Sequence, residues 1–289
     1  MPSEPEDDRV PKQPPPRERR KQPREEDSRW RTAITRIEPN KILIRGYPVD
    51  ELMGRLSFGE AIYLILRGEL PSRSIGKLFG AALVSSIDHG VTPPATLAAR
   101  NVATTGAPLR ACAAAGVLGF GMYHGGDIES CMRFIQQALA HARNGLSQAD
   151  AAERALQECD ANGHPPPGFG HRVHTSDPRA TRLLQMAHEL ELDGEHVQMI
   201  RTIERRLDSR REEGGRPLPL NIDGAIAAVC GDMGFEPELG NALFIIARMP
   251  GLIAHATEEQ SRQRPMRQID PKDAMYDGPQ LRRLTETRK

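Results

Sequence analysis

Between residues 57 and 255 the chain is a nearly unbroken series of segments with helical apolar spacing, most closed by a start or stop signal, and no strands alternate with them. Ser57-Phe58-Gly59-Glu60 has the spacing of a capping box, and Ile62, Leu64, Ile65 and Leu66 follow it to a stop at Gly68. Residues 74–88 keep the helical period. Residues 94–105 and 109–121 are rich in Ala and Gly, which suits helices packed at close range. A helix over 128–143 stops at Asn144-Gly145, and one over 147–158 at Asn162-Gly163. Asp177-Pro178 sets an N-cap before a proline at the first helical position and opens a helix to about residue 191. Residues 195–211 read as a long charged helix. Segments 220–233 and 236–255 are apolar, the second interrupted at Pro250-Gly251. Ahead of them only residues 37–46 alternate like a hairpin, with Glu38-Pro39-Asn40-Lys41 at the turn. The pattern predicts a mainly α protein and argues against a doubly wound nucleotide-binding sheet.

At 289 residues the chain is long enough for one or two domains with a real core. Its 39 basic and 39 acidic side chains cancel, which argues against blanket nucleic-acid binding. Of the basic residues 33 are Arg, whose forked donors suit carboxylate or phosphate; an anionic ligand is therefore allowed, although genomic base composition explains the same bias. Cys112, Cys131, Cys159 and Cys230 lack disulfide-redox or zinc spacing and are expected to be reduced core thiols. With neither a secretory leader nor a run of about 18 apolar residues, the expectation is a soluble, cytoplasmic protein that contacts no membrane. Residues 1–31 hold seven prolines and dense charge of both signs, so a disordered tail is predicted there. Its basic cluster from Arg17 to Arg24 is interleaved with Glu18, and Glu25 and Glu26 follow, which weakens it as a nucleic-acid contact.

Three places carry titratable side chains where packing alone would choose otherwise. His124 precedes Gly125-Gly126, which let a ligand approach the backbone. The stiff run Pro165-Pro166-Pro167-Gly168-Phe169-Gly170 leads to His171. Asp223 stands among apolar neighbours in Leu220-Asn221-Ile222-Asp223-Gly224, surroundings that disfavour its charge and equip it as an acid or base. Each alone reads more simply as a turn or a cap. As a set they suit proton abstraction beside a carbonyl, with imidazoles donating to a developing enolate oxygen. Paired metal-ligand spacing, the serine-hydrolase elbow and the P-loop are all missing, so no metal site is expected.

In this order the motifs resemble the citrate synthase superfamily: Arg45-Gly46-Tyr47-Pro48, Gly68-Glu69-Leu70-Pro71, Asp88-His89-Gly90, His124-Gly125-Gly126, Gly168-Phe169-Gly170-His171-Arg172-Val173, Asp177-Pro178-Arg179-Ala180, Asn221-Ile222-Asp223, and Ala247-Arg248 through Ala254-His255. The resemblance implies an almost wholly helical fold with a large and a small domain, the active site between them, and a homodimer or higher homo-oligomer. Its divisions would be a first large-domain part over 32–126, a small domain over 127–234, and the rest of the large domain over 235–289. By the same resemblance Asp223 removes the acyl-CoA methyl proton and His124 holds the thioester oxygen. His171 polarises the oxo-acid ketone. His89, Arg179, Arg248 and Arg264 hold the carboxylates of oxaloacetate or citrate, Arg264 from the partner subunit. Pro167, Gly168, Phe169 and Gly170 match a region near CoA. The CoA thioester enters as substrate, and no tightly bound cofactor is implied.

Several departures favour the short citryl-CoA lyase-type members over full synthases. The chain is far shorter, Gly126-Asp127-Ile128-Glu129 replaces the synthases' usual Ala-Asn-Glu, and Gly90 follows His89 where they carry Glu. The endings Gln263-Arg264-Pro265-Met266-Arg267 and Met275-Tyr276-Asp277-Gly278-Pro279 point the same way. The expected reaction forms or cleaves the bond between acetyl-CoA and oxaloacetate through citryl-CoA, with a place in the tricarboxylic acid cycle. The alternatives are a full citrate or methylcitrate synthase, or a non-catalytic binding protein.

Overall fold

A computed structural model describes residues 30–121, 124–125, 127–171, 174–211 and 217–283. The predicted tail, apart from Trp30 and Arg31, lies outside these residues, as do Gly126, Arg172 and Val173 of the motifs. The hairpin forms as strands β1 (Thr35–Glu38) and β2 (Lys41–Ile44), with Thr35 opposite Ile44 and Glu38 opposite Lys41. Asn40 takes the left-handed turn position at φ 59°, a conformation its short amide tolerates. Sequence spacing missed the short β3 (Tyr47–Pro48), which pairs back on β2, and the single-turn α1 (Val49–Leu52) behind it.

Ten further α-helices follow among the described residues: α2 (Phe58–Arg67), α3 (Arg73–Ser85), α4 (Pro94–Ala103), α5 (Leu109–Leu118), α6 (Asp127–Arg143), α7 (Gln148–Ala161), α8 (Pro178–Glu189), α9 (Glu195–Arg210), α10 (Ile222–Asp232) and α11 (Gly240–Arg262). The capping box at Ser57 and Glu60 closes both of its hydrogen bonds. The fold is mainly α, as the segment pattern predicts.

Helix α10 is the hub. Ala225 to Cys230 are all buried, the mark of a helix with no solvent face, and α6, α8 and α9 pack around it. Their core continues into α2 and α3 through Tyr63, Phe79 and Phe235, whose rings stand about 5.5 Å apart. Smaller clusters join α4 and α5 to α11 through Ala95, Ala99 and Leu252, then Ala103, Cys112 and Ala256. All four cysteines are free.

The break expected at Pro250-Gly251 does not occur; α11 runs through it for 23 residues. The proline forfeits one helical hydrogen bond there. At Gly251 a Cβ would stand 2.5 Å from the Ile87 carbonyl oxygen and 2.8 Å from Asp88 Oδ1, so the loop leading to His89 presses directly onto the helix. Residues 237–262 are long and apolar enough to cross a membrane, by length and composition alone. In the fold that segment packs against α3, α4, α5 and α6 and carries the buried Arg248 and Glu259.

Candidate active site

The start of α10 is fastened to the loop before His171. Asn221 caps the helix by accepting the Gly224 N–H at 3.1 Å, while its side-chain amide donates to the Gly170 carbonyl at 3.1 Å. Its own N–H donates to the Gly168 carbonyl at 3.0 Å. The approach demands glycine on both sides: a Cβ on Gly224 would lie 2.5 Å from Gly168 O, and one on Gly168, at φ 83°, would lie 2.5 Å from Cys131 Sγ. Asp127, the first residue of α6, accepts the Gly168 N–H at 2.7 Å. Three elements distant in sequence therefore meet within one turn of Asp223.

Asp177 locks a fourth element to them. Its fully buried carboxylate caps α8 through the Arg179 N–H at 3.0 Å and accepts the Arg179 guanidinium at 3.0 and 2.8 Å. It also accepts the Ile222 N–H at 3.1 Å, from the first turn of α10. Burial alone would raise this carboxyl's pKa, but Arg179 and the backbone donors outweigh it and hold it below its ordinary value.

These ties enclose a cavity of about 150 Å³, whose lining includes His89, His124, His171, Arg179, Asp223 and Arg248, with Asn221 and Phe244. Six of the seven residues assigned to catalysis or carboxylate binding therefore share one small space, although they span 160 positions from residue 89 to residue 248. Arg264 is not among them; it stands exposed beyond the far end of α11. Nor does the stretch from Pro167 to Gly170 line the cavity: Gly168 and Phe169 are buried against α6 and α10, with Pro167 and Gly170 half-buried beside them. A larger cavity of about 540 Å³, with α8 and α9 among its walls, contains none of the predicted site residues.

Asp223 faces the cavity from otherwise enclosed surroundings. Burial, reinforced by the negative charge of Asp127, raises its pKa to about 6. Burial lowers His89, with Arg248 and Arg179 adding to the effect, and lowers His171, helped by His174. Both rings are thereby neutral near pH 7, each with one donor and one acceptor nitrogen. His171 Nδ1 accepts the His174 N–H at 3.0 Å, which places the ring proton on Nε2. Arg248 donates Nε to the Ser86 carbonyl at 2.8 Å and stacks 4.6 Å above the Phe244 ring. Among the described residues it has no carboxylate at ion-pair distance, so its charge is available to an anionic ligand. The backbone N–H and C=O of His124 pair with those of Gly121, both at 2.9 Å. Among the described residues no group of three or more His, Cys, Asp or Glu is placed to hold a metal ion.

Sequence reasoning missed Asp127 and Phe244, and read Asp177 and Asn221 only as caps or as parts of a motif. Their roles depend on partners 41 to 51 positions away or, for Phe244, on a ring stacked beneath a cation, which spacing does not reveal.

With this geometry in place, comparison with known proteins identifies the fold's lineage. The family model for the citrate synthase C-terminal domain matches residues 72–269. The chain belongs to the citrate synthase family. Within that family, citrate synthase 2 of Bacillus subtilis is 31% identical over 220 residues, covering 74% of this chain and 54% of the relative. ATP-citrate synthase beta chain protein 2 of Arabidopsis thaliana is 25% identical over 260 residues, or 83% of this chain and 39% of that one. This family member thus spans about half, or less, of these curated relatives. Against citryl-CoA lyase from Hydrogenobacter thermophilus it superposes with a TM-score of 0.81 at 42% identity, covering 89% of this chain and 98% of the lyase. An ATP citrate lyase from Methanothrix soehngenii, solved with citrate and coenzyme A, shares the fold at a TM-score of 0.74 and 20% identity, over 88% of this chain and 42% of that one.

Proposed function

We propose that this citrate synthase family member is an enzyme of the citryl-CoA lyase type, cleaving citryl-CoA to acetyl-CoA and oxaloacetate. The observation that carries the reading is the meeting of Asp223, poised near pH 6, with His124, His171 and Arg248 around one cavity. Correspondence to nearly the whole length of a citryl-CoA lyase supports it.

In cleavage, His171 takes the citryl hydroxyl proton through Nε2. This step uses the Nδ1–H tautomer, the reverse of the one that the His174 N–H favours. The C–C bond breaks as the hydroxyl carbon becomes the ketone of oxaloacetate. Its electron pair passes to the thioester as an enolate whose oxygen His124 holds. Protonated Asp223 returns a proton to the enolate carbon, giving the methyl group of acetyl-CoA. His89, Arg179 and Arg248 hold the carboxylates, and Arg264 adds a fourth contact from the partner subunit of a homodimer. The cavity accommodates the reacting end of a CoA thioester; the rest lies outside it, by family resemblance near Pro167, Gly168, Phe169 and Gly170. Movement of residues 127–234 against the remainder would complete the enclosure.

A full citrate or methylcitrate synthase would use the same residues and also hydrolyse the thioester. Relatives bearing both names, including a citrate/2-methylcitrate synthase of Bacillus subtilis at 29% identity, keep that as the second reading. The test supplies citryl-CoA in one assay, and acetyl-CoA or propionyl-CoA with oxaloacetate in another. Cleavage of citryl-CoA without release of free thiol is the expected result. Thiol release selects a synthase, and no turnover in either assay removes both.

A further inference from the structure

Away from the cavity, a buried polar cluster surrounds Glu259 near the end of α11. Its side chain has no exposed surface, yet it is ionisable and held by two arginines. Arg100 from α4 donates Nε at 2.7 Å and a terminal nitrogen at 2.6 Å. Arg267, from the segment after α11, donates Nε and a terminal nitrogen at 2.8 Å each. Thr104, just past α4, accepts the next two backbone donors: the Met266 N–H on its carbonyl and the Arg267 N–H on its hydroxyl, both at 2.8 Å. Between these anchors Met266 is held at φ 58°, a left-handed conformation that a long side chain does not choose unaided. Two forked arginines, two backbone bonds and an enforced φ together hold one short exposed segment.

That segment begins two residues after Arg264. Helix α11 carries Arg248 at the cavity and ends at Arg262, about 21 Å further along its axis at 1.5 Å per residue. Two more residues return the chain by at most about 7 Å. Arg264 is thus carried away from its own chain's cavity, whose lining does not include it, a placement that suits service to a second copy.

We infer that Glu259 is a positioning residue: bridging Arg100 and Arg267, it fixes the reversal at Met266 and thereby the point from which Arg264 enters the neighbouring subunit's site. This rests on the assignment of Arg264 to that site. A buried ion pair contributes little net stability compared with apolar packing, so a role in fixing geometry accounts for its presence better than stability does.

The test measures steady-state citryl-CoA cleavage by the full chain carrying Arg264→Ala, Glu259→Gln or Arg267→Ala, alone and combined. Arg264→Ala is expected to raise KM at least about tenfold; Glu259→Gln and Arg267→Ala raise it about threefold or more, with kcat within about twofold. In the Arg264→Ala background neither change adds to the effect, because both act through the same side chain. A raised KM for Arg264→Ala with none for the other two overturns the positioning role and leaves Arg264's assignment standing. Equal increments in both backgrounds also overturn it, since the effect then bypasses Arg264. An unaltered KM for Arg264→Ala removes the assignment itself and the positioning role with it. Should Glu259→Gln fail to fold, Arg267→Ala decides alone, because that side chain is 46% exposed and its loss is tolerable.

Discussion

A carboxyl group with a pKa near 6 exchanges its proton readily at neutral pH, and Asp223 is brought there by enclosure first and by Asp127 second. Asp223→Ala should fold normally and lose at least about 10³-fold in kcat, in line with the upper range for acid–base groups. The same enclosure has a cost in stability. Because the folded pKa lies above the unfolded one, ionising Asp223 opposes folding: the penalty is absent below about pH 4, grows toward pH 6 and is complete above it, on the order of 3 kcal/mol. Asp223→Asn, inactive, should therefore unfold at higher urea concentration than the parent at pH 8, with the gap closing as the pH falls toward 4. A constant gap would show that the carboxyl is not held near 6. Asp127→Asn removes the second influence, so Asp223 loses its proton at lower pH and the alkaline limb of the cleavage profile moves down. An unmoved limb would mean that Asp127 acts only through Gly168. At this scale the motifs carry His89, His124, His171, Arg179, Asp223 and Arg248 to one cavity. Asp127 was not legible as a partner, because its influence depends on how closely α6 approaches α10.

Helix boundaries were most legible where a side chain closes its own helix. Ser57 with Glu60, and Asp177 before Pro178, both do so with partners within three residues. Legibility failed where long-range packing decides. Pro250 reads locally as a break, but packing on both sides keeps α11 continuous, and β3 exists only because β2 offers it an edge. Asn221 has both characters, a local cap and a distant tie to Gly170. The two functions can be separated. Asn221→Ala should lose about 1 kcal/mol in urea unfolding through the cap, and about tenfold in kcat through displacement of Asp223 relative to His171. Asn221→Ser keeps a capping oxygen and should recover most of the stability. It lacks the amide that reaches Gly170, so its kcat should stay low. Joint recovery of both would show that the cap alone positions the site.

At the scale of the whole molecule, one chain gathers six of the seven predicted contributors around one cavity and leaves the seventh, Arg264, exposed outside it. The sequence pattern alone could not show this, since Arg248 and Arg264 are only 16 positions apart and nothing in their spacing reveals that α11 continues through Pro250 as far as Arg262. If Arg264 serves the other subunit of a symmetric pair, then defects in Asp223 and Arg264 must complement. In a mixed dimer of Asp223→Ala and Arg264→Ala chains, one site carries both defects. The other combines an intact Asp223 with an intact Arg264 from its neighbour. Random pairing of equal amounts makes half the dimers mixed, and each mixed dimer has one whole site of two, so about one quarter of parental activity should return after co-refolding. Each variant refolded alone should stay at its own low level. If the mixture gives only the average of the two, Arg264 does not cross between subunits, and this chain binds its carboxylates with His89, Arg179 and Arg248 alone.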